Sequence, residues 1–145
     1  MTTILANRSQ MAADTFDTDG GRSRKIYEGN GFLIGESCAD IYYSARLIHW
    51  VLDGNRGPAP EPADSDEKEG SLLILRPAGL FTLDWHGVEV LRTNEFFAVG
   101  SGSEYALGAM AAGASLEQAL AIAAEYDEAT KPPFIVVDLP KRRKK

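Results

Sequence analysis

The first three residues, Met1-Thr2-Thr3, can supply a nucleophile that carries its own base. If Met1 is removed, Thr2 holds a hydroxyl and a free α-amine on the same residue. An α-amine has an ordinary pKa of about 7.7–8.0, against about 10.4 for a lysine side chain, so far more of it is neutral at pH 7. The α-amine is the better general base, and Thr2 is a candidate nucleophile. Met-Thr-Thr is also an ordinary chain start, so the rest of the sequence must show whether Thr2 is a nucleophile.

Composition points to one globular domain. The chain has 145 residues, of which 44% are hydrophobic and 25% charged, which is typical of a folded domain. We expect residues 1–140 to form this domain and 141–145 to form a basic tail. No apolar run is long enough to span a bilayer, and the N-terminus lacks a basic stretch followed by an apolar core. We therefore expect a cytoplasmic protein without a membrane partner.

Charge is unevenly distributed along the chain. The formal net charge is −6 and the tail, Lys141 to Lys145, contributes +5, so residues 1–140 carry −11. A nucleic-acid-binding face needs a basic patch, and this acidic body argues against one. The tail is predicted to be solvated and disordered, with contact to an acidic partner or neighbouring subunit as the alternative.

The sequence offers little for a disulfide or a metal. Cys38 is the single cysteine, which excludes an internal disulfide and a cysteine-based zinc site, and it is predicted to be a small buried residue. His49 and His86 lie in different predicted elements and are given no role. No metal or cofactor is expected, because the chemistry suggested for Thr2 needs only side chains and a chain end.

Apolar patterning predicts an α+β fold with mostly antiparallel sheets. Two hairpins are expected to pair into one sheet, and they comprise residues 2–6 with 11–14 and 25–28 with 32–35. Later strands are expected to form an antiparallel meander at 71–75, 79–83, 88–91 and 96–99, followed by a short strand at 134–137. Residues 54–70 are rich in proline and acidic residues and are predicted to be a loop insertion within the domain.

Three helices are predicted. The first covers 40–53 and ends at Gly54, and its apolar face comprises Ile41, Ala45, Ile48 and Leu52. The second, 104–112, is apolar nearly all round and is therefore predicted to be buried. The third begins at Ser115, which fits a capping box with Gln118, and its apolar face comprises Leu116, Ala119, Leu120 and Ala123. Pro132-Pro133 bars its continuation.

Four sequence features occur in an order and spacing that can be compared with known families. They are Thr2, Ala12-Ala13-Asp14-Thr15, Arg24-Lys25-Ile26, and Gly100-Ser101-Gly102-Ser103 followed by Tyr105-Ala106-Leu107-Gly108-Ala109-Met110. Together they resemble the N-terminal-nucleophile (Ntn) hydrolases of the proteasome β-subunit class. The likeness is strongest to HslV and to the short HslV-like proteins of phages. It covers most of the chain, with no counterpart for residues 54–70 or the tail.

The resemblance implies a fold and an activity. The fold would be a sandwich of mostly antiparallel sheets flanked by helices, with a reduced outer helical layer. The activity would be that of a threonine peptidase that cleaves peptides or unfolded proteins inside a self-compartmentalising homo-oligomeric ring. The resemblance also implies a possible partner, a ring ATPase that unfolds substrates.

The resemblance also implies residue roles. Thr2 would be the nucleophile, and its freed α-amine would accept the hydroxyl proton. The charge of Lys25 would lower the pKa values of that hydroxyl and amine, and Asp14 would pair with Lys25. Ser101 would hydrogen-bond around the amine.

Two further segments are implied in supporting roles. Asp127 and Thr130 fit an Asp-x-x-Ser/Thr element that supports the cluster in family members. The oxyanion donor would be a backbone N–H in the segment that contains Ser37 and Cys38. This segment departs from the family pattern because it lacks a glycine pair and carries Glu36.

Two other functions remain open from the sequence. The altered oxyanion segment and the trimmed helices would suit a catalytically inactive assembly module that kept the fold. Ntn chemistry is also not restricted to peptides, so an amidohydrolase acting on small amides is the third alternative.

Overall fold

The computed structural model describes residues 2–17, 20–38, 41–61, 70–84 and 87–144. Nine strands occur in this part of the chain: β1 (Thr3–Asn7), β2 (Gln10–Ala13), β3 (Ile26–Glu28), β4 (Leu33–Cys38), β5 (Gly70–Arg76), β6 (Gly79–Leu83), β7 (Glu89–Arg92), β8 (Phe96–Gly100) and β9 (Ile135–Asp138). The helices are α1 (Ile41–Leu52), α2 (Ser103–Ala111) and α3 (Leu116–Tyr126). The predicted α+β class is confirmed.

The strands form two antiparallel sheets. The first has the order β8-β1-β2-β9 and the second has the order β3-β4-β5-β6-β7. The expectation that the two N-terminal hairpins share a sheet is wrong. The outer edge of β1 pairs with β8, and the outer edge of β2 pairs with β9. The first hairpin therefore has no free edge with which the second hairpin could pair. The second hairpin instead faces the first across the core.

The predicted four-strand meander is correct for three of its strands. β5, β6 and β7 are consecutive neighbours in the second sheet, whereas β8 crosses to the first sheet and pairs with β1. The crossing places Gly100, at the end of β8, directly opposite Thr3. This non-local pairing brings the glycine-rich segment to the N-terminus.

Three apolar clusters divide the molecule into four layers. One cluster lies between the two sheets and includes Ile4, Met11 and Leu73. A second lies between the first sheet and the helices α2 and α3, and a third lies between the second sheet and α1. β1 contributes Ile4 to the first cluster and Leu5 to the second, which is why its apolar residues are consecutive rather than alternating.

The helices are placed as predicted, but two of their buried faces differ. In α1 Ile48 is buried as predicted, whereas Ala45 and Leu52 are exposed and Tyr43, Leu47 and Val51 are buried instead. The apolar residues of α1 surround most of the helix, so their spacing does not fix which side faces the sheet. α2 is not buried all round, because it lies on the outside of the first sheet and buries only Ala106 and Met110.

The third helix matches its prediction. Ser115 and Gln118 form both hydrogen bonds of the capping box, which satisfies two backbone donors at the helix start. Its buried residues are Leu116, Ala119, Leu120 and Ala123. None of the helices in the described ranges is long and apolar enough to cross a membrane.

The predicted insertion and tail are described in part. Residues 62–69 of the insertion lie outside the described residues, while the preceding stretch runs along α1, where Trp50 Nε1 donates to Gly57 O at 3.3 Å. The described tail residues, 141–144, are exposed as expected for a solvated segment, but they are attached to the body of the protein. Arg143 N donates to Asn30 Oδ1 at 2.7 Å, which holds the tail backbone against the turn between β3 and β4.

Close contact between the sheets depends on Gly35. A Cβ added there would lie 2.3 Å from Ile4 Cγ2 and 3.0 Å from Met11 Sδ. We expect Gly35→Ala to lower the free energy of unfolding by about 1–3 kcal/mol, because the side chain overpacks the core. Urea titration measures the change.

The matched control is Gly108→Ala in α2, where an added Cβ meets no atom within 4 Å. Alanine favours a helix over glycine, so this variant should be more stable by about 0.5–1 kcal/mol. Equal effects of the two substitutions would contradict close packing at Gly35.

Candidate functional site

The backbone of Thr2 is held at the start of β1. Ser101 N donates to Thr2 O at 3.0 Å, and Asp14 N donates to Thr3 O at 3.4 Å. The next residue, Thr3, is fully buried, whereas Thr2 is only partly buried. Residue 2 is therefore fixed in position and remains partly accessible to solvent.

A buried ion pair lies beside this backbone. Lys25 Nζ lies 3.1 Å from Asp14 Oδ1, and the two side chains are 5% and 0% exposed. The same Asp14 oxygen accepts a hydrogen bond from Thr3 N at 3.1 Å. Because one oxygen binds both groups, the Lys25 ammonium lies next to the peptide bond that joins Thr2 to Thr3.

Additional donors and acceptors complete this pair. Phe16 O accepts from Lys25 Nζ at 2.5 Å, and Lys131 N donates to Asp14 Oδ2 at 3.3 Å. A buried ion pair is tolerated only when its remaining hydrogen-bonding positions are filled. These contacts fill further hydrogen-bonding positions of the buried pair.

A chain of hydroxyl groups lies on the other side of β1. Thr130 Oγ1 and Ser101 Oγ donate to Asp127 Oδ2 at 2.5 and 2.6 Å. Thr3 Oγ1 lies 2.6 Å from Thr130 Oγ1 and accepts from Gly102 N at 3.0 Å. Since the single proton of Thr130 goes to Asp127, the Thr3 hydroxyl must donate to Thr130.

Asp127 carries the negative charge of this chain. Burial of its carboxylate raises its pKa, but the hydrogen bonds from Ser101, Thr130 and the backbone of Ala129 lower it more, so the pKa lies below the ordinary value. The carboxylate therefore stays ionised at neutral pH and keeps both hydroxyl groups oriented as donors.

Two glycines leave space for these contacts. Gly100 has a φ of +104°, and a Cβ added there would lie 1.7 Å from Thr2 O. At Gly102 an added Cβ would lie 2.5 Å from Thr3 Oγ1. Both positions require glycine because the N-terminal strand passes directly over them.

The predicted oxyanion segment begins close to Thr2. Side chains alternate along β4, so Ser37 faces the first sheet, and a Cβ on Gly100 would lie 2.9 Å from Ser37 Oγ. Glu36 points to the opposite face, where it accepts a hydrogen bond from Ser44 of α1. Its bulk is therefore directed away from Thr2. The backbone of Cys38 pairs with Gly70, and its side chain lies outside the described part of the chain.

The structure brings together most of the residues predicted for the site. Thr2, Asp14, Lys25 and Ser101 lie at one end of the sandwich, with Asp127, Thr130 and Ser37 around them. His49 is exposed and His86 lies outside the described residues. Within the described ranges, no group of three or more His, Cys, Asp or Glu side chains is placed to hold a metal ion.

Sequence reasoning gave no site role to four contributors: Thr3, Phe16, Gly100 and Gly102. A signal existed for Thr3, because a polar residue at the start of an otherwise apolar central strand must find hydrogen-bond partners when buried. The alternating glycines before α2 counted toward the family resemblance, but no contact with the N-terminal strand was predicted for them. Nothing local marks Phe16, since its contribution is a backbone carbonyl.

Comparison with known proteins supports the fold. No protein-family model matches the chain, and no curated protein matches it significantly. Among solved structures, eukaryotic HslV from Trypanosoma brucei superposes with a TM-score of 0.71 at 19% identity, covering 94% of this chain and 98% of that one. Thiobacillus denitrificans BPH in complex with epoxomicin superposes with a TM-score of 0.62 at 22% identity, covering 96% and 98%. The chain thus has the HslV-like, proteasome-like Ntn fold, as the sequence resemblance predicted.

The lowered pKa of Asp127 predicts a pH-dependent contribution to stability. A carboxyl group whose pKa is lowered by folding stabilises the protein above its unfolded pKa, and the contribution is lost as the pH falls through the folded value. We expect Asp127→Asn to lower the melting temperature at neutral pH, with a difference from wild type that shrinks at acidic pH. Glu128→Gln, at the adjacent exposed carboxylate, is the control and should show no such trend.

The Thr3 hydroxyl is predicted to be structural. Thr3→Val keeps the shape of the side chain but leaves Gly102 N and Thr130 without their partner. We expect a loss of about 1–3 kcal/mol in the free energy of unfolding. Thr3→Ser retains the hydroxyl and should cost clearly less. Chemical denaturation compares them, and equal losses would show that the hydrogen bonds contribute nothing.

Proposed function

We propose that the chain is a threonine peptidase of the Ntn-hydrolase class in which Thr2, freed by loss of Met1, is the nucleophile. The observation that carries the proposal is the shared oxygen of Asp14, which binds both Lys25 Nζ and Thr3 N at 3.1 Å. This contact places a cation beside the residue that would bear both the hydroxyl and the free amine.

The reaction follows from these groups. The α-amine of Thr2 accepts the proton of Oγ1 as this oxygen attacks the carbonyl carbon of a peptide bond. The C–N bond breaks, the leaving amine takes the proton, and an ester joins the acyl group to Oγ1. The amine then deprotonates a water molecule, which attacks the ester and restores Thr2. Lys25 favours the deprotonated forms of the hydroxyl and the amine throughout.

The alternative nucleophile, Thr3, is a poor candidate. Its side chain is fully buried, its hydroxyl is hydrogen-bonded to Thr130 and Gly102, and its nitrogen is an amide bonded to Asp14. Thr2 is partly buried and directly precedes these constraints. The environment therefore favours chemistry at residue 2.

The oxyanion donor is proposed to be a backbone N–H in the segment that starts at Ser37 and Cys38. Ser101 N is already bonded to Thr2 O, so it is not free to bind a developing negative charge. Ser37 lies close to the Thr2 carbonyl. A backbone donor in this segment needs no particular side chain, so the missing glycine pair does not prevent the role.

The proposed substrates are peptides or unfolded proteins, and the proposed active form is a homo-oligomeric ring. The fold shared with HslV supports both, and an ATPase unfoldase is a partner consistent with that fold. Exposed aromatic side chains on the helical face, Tyr105 and Tyr126, stack with their ring centroids 5.6 Å apart. Such a surface is suited to burial in an assembly.

The test is substitution of the nucleophile. Thr2→Ala should lower the turnover of a peptide panel by at least about a thousandfold, because the hydroxyl that forms the ester is lost. Thr2→Ser should retain activity, and Thr93→Ala, at an exposed threonine, should match wild type. A threonine-directed covalent inhibitor should add its mass to wild type but not to Thr2→Ala.

A second test measures the intact mass of the protein, which shows whether Met1 has been removed. Active protein should have lost Met1, so that the α-amine belongs to Thr2. Turnover by Thr2→Ala, or full activity in material that retains Met1, would refute the mechanism. Turnover of small amides without cleavage of peptides would favour an amidohydrolase, and assembly without any turnover would favour an inactive module.

A further inference from the structure

One partner of Lys25 belongs to a loop rather than to a sheet. The ammonium donates to Phe16 O at 2.5 Å, in addition to its bond with Asp14. Phe16 lies between β2 and β3, where it forms an isolated bridge with Arg22. A loop carbonyl keeps its position only if the loop is held by other contacts.

Lys131 contacts both partners of Lys25. Its backbone N–H donates to Asp14 Oδ2 at 3.3 Å, and its Nζ lies 4.4 Å from the centre of the Phe16 ring. A cation over an aromatic face is attracted by the quadrupole of the ring. The contacts form a closed circuit that runs from Lys25 to Asp14, to Lys131, to Phe16 and back to Lys25.

Phe16 and Lys131 meet at an open part of the surface. An open hollow of about 380 Å³ adjoins the ring and is lined by Phe16, Glu128, Ala129 and Lys131. The ring is only partly buried, and the Lys131 side chain is exposed. Lys131 also follows Thr130 directly, so two adjacent residues support the hydroxyl chain and the ion pair respectively.

We propose that Lys131 is a positioning residue of the peptidase site. Its side chain holds the Phe16 ring, and through the Phe16 carbonyl it keeps the Lys25 ammonium beside residue 2. The proposal rests on the function proposed above. Lys131 acts through Phe16 and Lys25 and takes no part in the bond changes.

Kinetic measurements test this role. Lys131→Met removes the charge but keeps the backbone bond to Asp14, and we expect a roughly two- to fivefold lower kcat with little change in KM. Lys131→Arg keeps a cation over the ring and should restore most of the lost kcat. Lys144→Met removes an exposed charge from the tail and should match wild type.

A double-mutant cycle shows whether Lys131 acts through Phe16. Phe16→Leu removes the ring while retaining the carbonyl, and it should lower kcat by a similar factor. In the Phe16→Leu background, Lys131→Met should have no further effect, because the contact is already absent. Independent, multiplicative losses would overturn the proposed route.

Chemical labelling of Lys25 provides a readout that does not need activity. Lys25 is buried, so a small amine-reactive reagent should modify it slowly in wild type, as measured by peptide mass spectrometry. Labelling of Lys25 should be severalfold faster in Lys131→Met and unchanged in Lys131→Arg and Lys144→Met. Unchanged labelling in folded Lys131→Met refutes the proposal. Faster labelling of Lys131→Met, together with a wild type that cleaves no peptide, refutes only the peptidase.

Discussion

The buried carboxylate of Asp14 is the constraint on which the site depends. It is wholly shielded from water and takes hydrogen bonds or charge from Thr3 N, Lys25 Nζ and Lys131 N. Leaving a buried charge without its partner typically costs about 3–5 kcal/mol. The need to satisfy one side chain thus holds together three segments that are distant in sequence: the start of β1, the start of β3 and the stretch before β9.

Close approach of the backbone supplies the second constraint. β1 lies in the middle of the molecule, with the second sheet on one face and α2 and α3 on the other. Gly35 and Gly100 lie where a side chain would collide with this strand or with the residue before it. The strand can then be buried on both faces while its first residue remains at the rim of the sandwich.

Local features of the fold could be predicted from the sequence, whereas non-local strand pairing could not. The capping box at Ser115 involves neighbouring residues, and it was predicted correctly along with the buried face of α3. The pairing of β8 with β1, and the separation of the two hairpins, depend on which edges remain free after folding. No residue within those strands specifies that outcome, and the face of α1 was misjudged because its apolar residues surround most of the helix.

The candidate site shows the same division. Thr2, Asp14, Lys25 and Ser101 were selected by their order and their resemblance to a family, and folding brings their segments together. Thr3 and Phe16 were not selected. Thr3 contributes a buried hydroxyl that is hydrogen-bonded to Thr130 and Gly102, and Phe16 contributes a main-chain carbonyl. The contribution of Phe16 follows from the path of the backbone, which side-chain identity does not specify, whereas the polar side chain of Thr3 in an apolar strand was a signal that went unused.

The direction of β1 has a practical consequence for handling the protein. The strand runs from Thr3 to Asn7, and Leu139, the first residue after β9, lies beside Ser9, where Leu139 N donates to Ser9 O at 2.8 Å. At about 3.3 Å per residue, Leu139 is on the order of 15 Å from Thr3. An affinity tag is therefore best fused at the carboxyl end, because the proposed mechanism needs a free α-amine on Thr2 and an amino-terminal fusion would keep that nitrogen in an amide.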